Sequence, residues 1–163
     1  MLLYHLVSSA KYRRVFISDS VDRVLVATCS EIEKRYEVYF LEVGTDKHHV
    51  HFLIQSVPSY SVTKIVTMVK NILAREVIRQ CPEVKKQLWG GEFWGKGYFV
   101  NTVGQHGTEN VIAKYVKEQG IEKEYKVLKK RLSVEIILMP GELAHEDYLF
   151  IFEDYLFIFT VIS

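Results

Sequence analysis

Two histidines in an apolar segment are the residues of this chain with the clearest chemical potential. His49 and His51 flank a single valine and lead into the apolar run 50–54, which is typical of a strand. Side chains two residues apart on a strand project from the same face, so both imidazoles could bind one divalent metal. With six histidines in 163 residues, such a triplet arises by chance in roughly one sequence in five. The pair therefore predicts a metal site only if other residues join it.

Tyr115 and Gln119 are the residues that extend this hypothesis. They are four positions apart in a segment with helical periodicity, so they share one face of the predicted helix. A tyrosine hydroxyl can attack a phosphodiester, and a metal held by imidazoles and an amide oxygen can polarise the phosphate. The chain contains nine other tyrosines, and a tyrosine on an amphipathic helix commonly only packs. Covalent phosphodiester chemistry is the function that uses all four residues.

The elements that must position these residues follow an order that is known from one fold. The pattern predicts strand, helix, strand, strand, helix and strand, and then the helix that carries Tyr115. This is the split βαβ order of an α+β, ferredoxin-like fold, with an antiparallel sheet, helices on one face and an added tyrosine helix. A turn at residues 44–47 joins the second and third strands into a hairpin. The predicted strands are 2–7, 37–43, 50–54 and 97–103, and the predicted helices begin near Asp19 or Ser20, at Ser61 and near Gly107.

Composition indicates one soluble domain. The chain is 48% hydrophobic and 25% charged, which is ordinary for a globular protein. Cys29 and Cys81 lack the spacing of a metal or redox motif, so we expect reduced thiols and a cytoplasmic location. No apolar stretch reaches the length of a membrane span.

The net charge of +1 hides an uneven distribution along the chain. Residues 1–131 carry 21 − 14 = +7, and residues 132–163 carry 0 − 6 = −6. A basic body suits a polyanionic partner, because neutralising phosphates supplies affinity that is independent of sequence. Solvated helix faces would explain the same basic residues without any nucleic acid.

The acidic C-terminal segment contains a short duplication. Residues 146–152 and 153–159 are both Glu-Asp-Tyr-Leu-Phe-Ile-Phe. Two copies are too few for a solenoid, and the alternating aromatic residues suggest a strand. We therefore expect a domain at 1–131 and an acidic, aromatic extension at 132–163, with at least one copy packed against the body or a partner subunit.

One motif with a familiar spacing is rejected. Residues 90–96 match the first seven positions of a phosphate-binding loop, but Gly97 stands where a magnesium-binding Ser or Thr is required. A strand is predicted to follow, whereas the loop needs a helix there. We therefore expect no nucleoside triphosphate site.

Four ordered blocks of the chain resemble the single-tyrosine HUH transposase family, the TnpA-like enzymes of small bacterial insertion sequences. The resemblance runs from about Tyr4 to Gln119, and no part of 132–163 belongs to it. The family pattern of histidine, bulky hydrophobic residue and histidine is matched at 49–51, and its tyrosine with a nearby polar ligand is matched by Tyr115 and Gln119. The blocks are residues 11–14, 46–54, 93–104 and 115–119.

The resemblance implies a specific reaction and specific partners. Tyr115 would be the nucleophile, and His49, His51 and Gln119 would hold magnesium or manganese. Attack would give a 5′-phosphotyrosine and a free 3′-OH in single-stranded DNA with hairpins at the element ends. The family works as a homodimer, in which the tyrosine helix of one subunit usually completes the histidine site of the other. The basic residues expected to contact DNA are Lys11, Arg13, Arg14, Lys96 and Lys114.

Other functions remain open on the sequence alone. A non-catalytic ferredoxin-like module could bind RNA through Tyr98, Phe99 and basic residues, although it leaves the four site residues unexplained. A domesticated HUH nickase would use the same chemistry for another purpose. A structural dimer without activity is the third alternative.

Overall fold

The computed structural model describes residues 2–11, 18–88, 90–104, 111–119 and 122–131. Their strands and helices alternate in the order predicted from the sequence as far as the fourth strand. A short helix and a fifth strand are added to the predicted elements. In chain order the elements are β1 (Leu2–Ala10), α1 (Asp19–Arg35), β2 (Val38–Thr45), β3 (His49–Ser56), α2 (Val62–Gln80), α3 (Pro82–Gln87), β4 (Trp94–Val103), α4 (Val111–Glu118) and β5 (Lys126–Lys130).

The strands form one antiparallel sheet in the order β4-β1-β3-β2-β5. The first four strands of that order have the ferredoxin-like arrangement, which confirms the predicted fold class. Strand β5 pairs with β2 and was not predicted. Its sequence is short and rich in lysine, which is typical of a protected sheet edge.

Both long helices begin at serine caps. The Ser18 side chain accepts a hydrogen bond from the Val21 amide at the start of α1, one residue before the predicted cap. The Ser61 side chain does the same for Lys64 in α2, as predicted. Pro82 does not only end α2, because it also begins the short helix α3.

The sheet has two faces with different roles. Tyr4, Leu6, Phe52 and Ile54 belong to the main core together with buried residues of α1 and α2. Alternate residues of the same strands point to the other face, where the short helix α4 packs. There the second apolar cluster consists of Leu41, Leu53, Ile112 and Val116. Helix α4 thus partly covers the face of the sheet opposite α1 and α2. This is the face from which the His49 and His51 side chains project.

The hairpin between β2 and β3 differs from its prediction by two residues. Strand β2 continues to Thr45, so Gly44 lies in the strand and its assignment to the turn was wrong. The turn occupies residues 46–48, and the Asp46 amide donates to the His49 carbonyl at 3.0 Å. A turn of this length directs the Asp46 side chain toward the start of β3.

The segment that was rejected as a phosphate loop does not have the structure of one. Phe93 and Trp94 are buried, and the segment runs directly into β4 rather than into a helix. None of the helices in the described part of the chain has the length and hydrophobicity needed to cross a bilayer. The extension 132–163, with both repeat copies, lies outside the described residues, as does the predicted start of the tyrosine helix near Gly107.

Candidate active site

The two histidines of β3 lie on the face of the sheet that carries α4. Their ring centroids are 6.3 Å apart, as expected for side chains two residues apart on a strand. His51 is buried at 1% exposure, whereas the His49 side chain is 44% exposed. One imidazole is therefore fixed within the protein and the other stands at the surface, where a substrate can reach it.

Asp46 joins the two imidazoles. Its carboxylate accepts from His51 Nε2 at 2.8 Å, and His49 Nδ1 lies 3.1 Å from each carboxylate oxygen. The backbone amides of His48 and His49 donate to Asp46 Oδ1 at 2.7 and 2.8 Å. Burial opposes ionisation of this carboxyl, but the hydrogen bonds from His51 and the two amides outweigh it and hold the Asp46 pKa well below its usual range. Asp46 is therefore an ionised acceptor that orients both rings.

Tyr115 lies on α4 beside the buried histidines of its own chain. Its ring centroid is 5.7 Å from that of His51 and 4.9 Å from that of His5, a residue of β1. Ile112 and Val116 anchor the helix in the apolar cluster, which leaves Tyr115 half-buried between that cluster and the site. Phe99 of β4 stacks on the outer side of the Tyr115 ring at 5.9 Å. The predicted nucleophile is thus a neighbour of His51, one of the predicted metal ligands.

Gln119 follows α4 and is exposed. Its backbone amide donates to the Tyr115 carbonyl at 3.0 Å, which places it one helical turn beyond the tyrosine. Within the described part of the chain its side chain makes no hydrogen bond to His49 or His51. The structure therefore brings together three of the four residues singled out in the sequence and leaves the Gln119 amide apart.

Three of the five basic residues predicted to contact DNA lie in the described part of the chain. Lys11 pairs with Glu92, and Lys96 is exposed on β4. The Lys114 side chain is 77% exposed on α4 and lies 3.9 Å from the Glu118 carboxylate. Arg13 and Arg14 lie outside the described residues.

Tyr125 is a second tyrosine at the site, and nothing in the sequence marked it. Its ring meets His51 edge-on, with centroids 5.5 Å apart, and its hydroxyl donates to Glu42 Oε1 at 2.9 Å. Burial and the neighbouring carboxylates of Glu42 and Asp46 raise the Tyr125 pKa far above its ordinary value. Its proton is held by a buried carboxylate, so Tyr125 is a poor nucleophile and Tyr115 remains the candidate.

Gly44 makes room for Tyr125. A Cβ atom at position 44 would lie 2.0 Å from the Tyr125 hydroxyl oxygen and 2.3 Å from Cζ. We expect Gly44→Ala to displace the ring and to lower the free energy of unfolding by about 1–3 kcal/mol, the usual cost of overpacking. Urea denaturation measures this effect, and Gly97→Ala is the matched control because nothing lies within 4 Å of a Cβ there. Equal losses in the two variants would contradict the steric explanation.

The donor set suits a divalent cation of intermediate hardness. Imidazole is a ligand that suits zinc and other transition metals, and a carboxylate suits magnesium and manganese. No group of three or more His, Cys, Asp or Glu side chains among the described residues already surrounds a common point with ligand spacing. The Asp46 carboxylate instead makes hydrogen bonds with the histidine nitrogens that a cation would occupy. The residues fit a metal by their chemistry, and binding would replace those hydrogen bonds.

Comparisons with known proteins identify the class and then the family. The ISDra2 transposase TnpA of Deinococcus radiodurans is 32% identical over 120 residues, which cover 72% of this chain and 84% of that protein. The IS200 transposase of Salmonella typhimurium is 28% identical over 116 residues, or 71% of this chain and 75% of that protein. These relatives are enzymes that cleave and rejoin DNA. The model of the IS200-like transposases matches residues 1–119, and the chain belongs to this family.

A solved structure supports the same assignment. The crystal structure of a candidate transposase from Deinococcus radiodurans has a TM-score of 0.58 and 29% sequence identity to this chain. The alignment covers 72% of this chain and 90% of that one. The resemblance inferred from the four sequence blocks is therefore confirmed at the level of the family and the fold.

Proposed function

We propose that this transposase cleaves and rejoins single-stranded DNA through a covalent bond between Tyr115 and a 5′-phosphate. The observation that carries the proposal is the position of Tyr115, which lies against His51 and His5 in the same chain. The other tyrosine at the site, Tyr125, has its hydroxyl proton engaged by Glu42. Tyr115 is thus the tyrosine at this site that is available to a phosphate.

The reaction balances without an external energy source. The Tyr115 oxygen forms a bond to phosphorus as it loses its proton, and the bond from phosphorus to the 3′-oxygen breaks. The departing 3′-oxygen takes up a proton and becomes a free 3′-OH. Attack by another 3′-OH on the phosphotyrosine reverses these steps and regenerates the tyrosine. One phosphodiester is exchanged for another, in keeping with the rejection of a triphosphate site at residues 90–96.

The residues proposed to hold the metal are His49, His51 and Gln119, as predicted from the sequence, together with Asp46. Magnesium or manganese bound there would supply a Lewis acid for the scissile phosphate. The Asp46 carboxylate orients both imidazole rings through its hydrogen bonds, and His51 is the buried one of the two. The Gln119 amide would have to turn toward the histidines from its exposed position.

The DNA is proposed to lie over the exposed lysines around the site and to present a hairpin at the end of the element. Lys114 directly precedes Tyr115 on α4 and Lys96 is exposed on β4, with Lys11, Arg13 and Arg14 as further proposed phosphate contacts. We expect binding to weaken as salt rises, because each neutralised phosphate releases counterions. In the Lys96→Ala and Lys114→Ala variants, the slope of log affinity against log salt should fall by about one per lysine. A gel-shift titration over several salt concentrations measures the slope, and an unchanged slope would remove that lysine from the interface.

We further propose that the protein works as a homodimer. The described chain forms the tyrosine and histidine contacts within itself, whereas the family resemblance implies that α4 completes the partner's site. Mixing a Tyr115→Phe chain with a His49→Ala chain separates the two arrangements, after sedimentation has established the dimer. Cleavage by the mixture would show an exchanged α4, and an inactive mixture would show that the arrangement within one chain is the working one.

A non-catalytic module that binds nucleic acid is the second candidate. It is favoured by the exposed rings of Tyr98 and Phe99 on β4, which are 46% and 47% exposed and could stack on bases. Incubating the protein with single-stranded hairpin DNA labelled at its 3′ end, in the presence of magnesium, decides between the two functions. A labelled protein band that survives denaturation supports the transposase reaction, whereas binding without any covalent label supports the module.

A further inference from the structure

His5 occupies the centre of the site, although it is not among the residues that the sequence singled out. It lies in the middle of β1, opposite Leu53 of β3 and Asn101 of β4, and is 2% exposed. Its ring plane is nearly parallel to that of His51, with centroids 5.7 Å apart and an angle of 21° between the planes. It also meets the Tyr115 ring edge-on at 4.9 Å. His5 therefore touches both the proposed metal site and the proposed nucleophile.

The nitrogens of His5 and His51 face each other. His5 Nε2 is 3.4 Å from His51 Nδ1, which is the long end of hydrogen-bonding distance. A neutral imidazole can donate or accept at Nε2, depending on which nitrogen carries the proton.

The other hydrogen bonds of His51 determine whether His5 donates or accepts at Nε2. With His51 Nε2 donating to the Asp46 carboxylate, a neutral His51 has an accepting Nδ1 and His5 must donate. With His51 Nε2 bound to a metal, Nδ1 carries the proton and His5 must accept. Histidines that bind metals commonly donate their second N–H to a fixed acceptor, which orients the ring and tunes its basicity.

We propose that His5 is a positioning residue that holds His51 in its metal-binding orientation through Nε2 and seats the Tyr115 ring beside it. This inference rests on the proposed function, because it assigns His5 a role in that same site. It predicts that metal affinity depends on the nitrogen at the Nε2 position, and that the position of the Tyr115 ring depends on the flat ring of His5.

Three variants separate these contributions. His5→Gln places an amide near the Nε2 position, His5→Asn places it near Nδ1, and His5→Phe keeps only the ring. We expect His5→Phe and His5→Asn to bind Mn²⁺ about 10–100-fold more weakly than the unmodified chain, and His5→Gln to retain most of the affinity. Electron paramagnetic resonance of free Mn²⁺, titrated into the full-length protein without DNA, gives the affinities. Circular dichroism and hairpin binding in EDTA confirm that each variant is folded.

The contrast between Gln and Asn keeps the test independent of a general loss of packing. Equal Mn²⁺ affinity in all four proteins, equal losses in the Gln and Asn variants, or no Mn²⁺ binding by any of them would overturn the role of His5. A failure of the proposed function looks different. The unmodified chain would then bind Mn²⁺, with the expected order among the variants, and still form no covalent adduct with DNA.

Discussion

Replacing Tyr115 with phenylalanine is expected to abolish the covalent protein–DNA adduct and leave hairpin binding intact. Only the hydroxyl is lost, and the ring keeps its contacts with His5, His51 and Phe99. The basic surface that supplies affinity is also unchanged. The adduct is measured with 3′-labelled DNA. The fragment downstream of the cut carries the 5′-phosphate that joins Tyr115, so its label stays on the denatured protein and reports the attack directly.

The structure supplies a matched control for this experiment. Tyr125→Phe removes the hydroxyl of a tyrosine whose ring lies at a similar distance from His51, but that hydroxyl donates to Glu42 and is not available as a nucleophile. We expect this variant to form the adduct while losing some stability, because the buried Glu42 carboxylate loses a hydrogen bond. An adduct in the Tyr115→Phe protein, or its loss only in the Tyr125→Phe protein, would show that the nucleophile is misassigned.

Removing either histidine of β3 is expected to eliminate metal-dependent cleavage. Each imidazole is one of few ligands, and a site that lacks one binds a divalent cation poorly and polarises phosphate weakly. We expect His51→Ala to lower the free energy of unfolding more than His49→Ala does. His51→Ala empties a buried position and leaves Asp46 without its hydrogen bond at 2.8 Å, whereas His49→Ala changes a side chain that is 44% exposed.

His48→Ala is the internal control for these substitutions. His48 precedes β3 and contributes its backbone amide, rather than its ring, to Asp46. Cleavage rates are compared across a magnesium titration, and thermal unfolding is measured in parallel. Cleavage by His49→Ala at the rate of the unmodified chain would refute the metal site. If His48→Ala lost as much cleavage activity as the other two variants, the assignment of His49 and His51 as the ligands would be contradicted.

The sequence predicted the features of the site that depend on local periodicity. The shared face of His49 and His51 follows from the two-residue repeat of a strand, and the fold class follows from the order of the elements. The position of Tyr115 over the histidines follows from neither. It depends on the packing of Ile112 and Val116 against the second face of the sheet, which is a tertiary contact.

The residues that the sequence did not reveal are brought to the site by strand order or by turn geometry. His5 is a single histidine in an apolar strand, and it becomes a neighbour of His51 only because β1 pairs with β3. Asp46 owes its role to a turn that begins two residues later than predicted. Gly44 has a conformation that other residues adopt, and its purpose is the space that Tyr125 fills.

The helix that carries Tyr115 is attached to opposite edges of the sheet. Strand β4 forms one edge and β5 the other, and seven residues join α4 to each of them (104–110 and 119–125). A fully extended segment of that length reaches at most about 25 Å. The proposed nucleophile is therefore held by two short connections, and a DNA end attached to Tyr115 could travel no farther than these allow while both edge strands stay paired. The proposed strand transfer would then require the receiving 3′-OH to come within that radius.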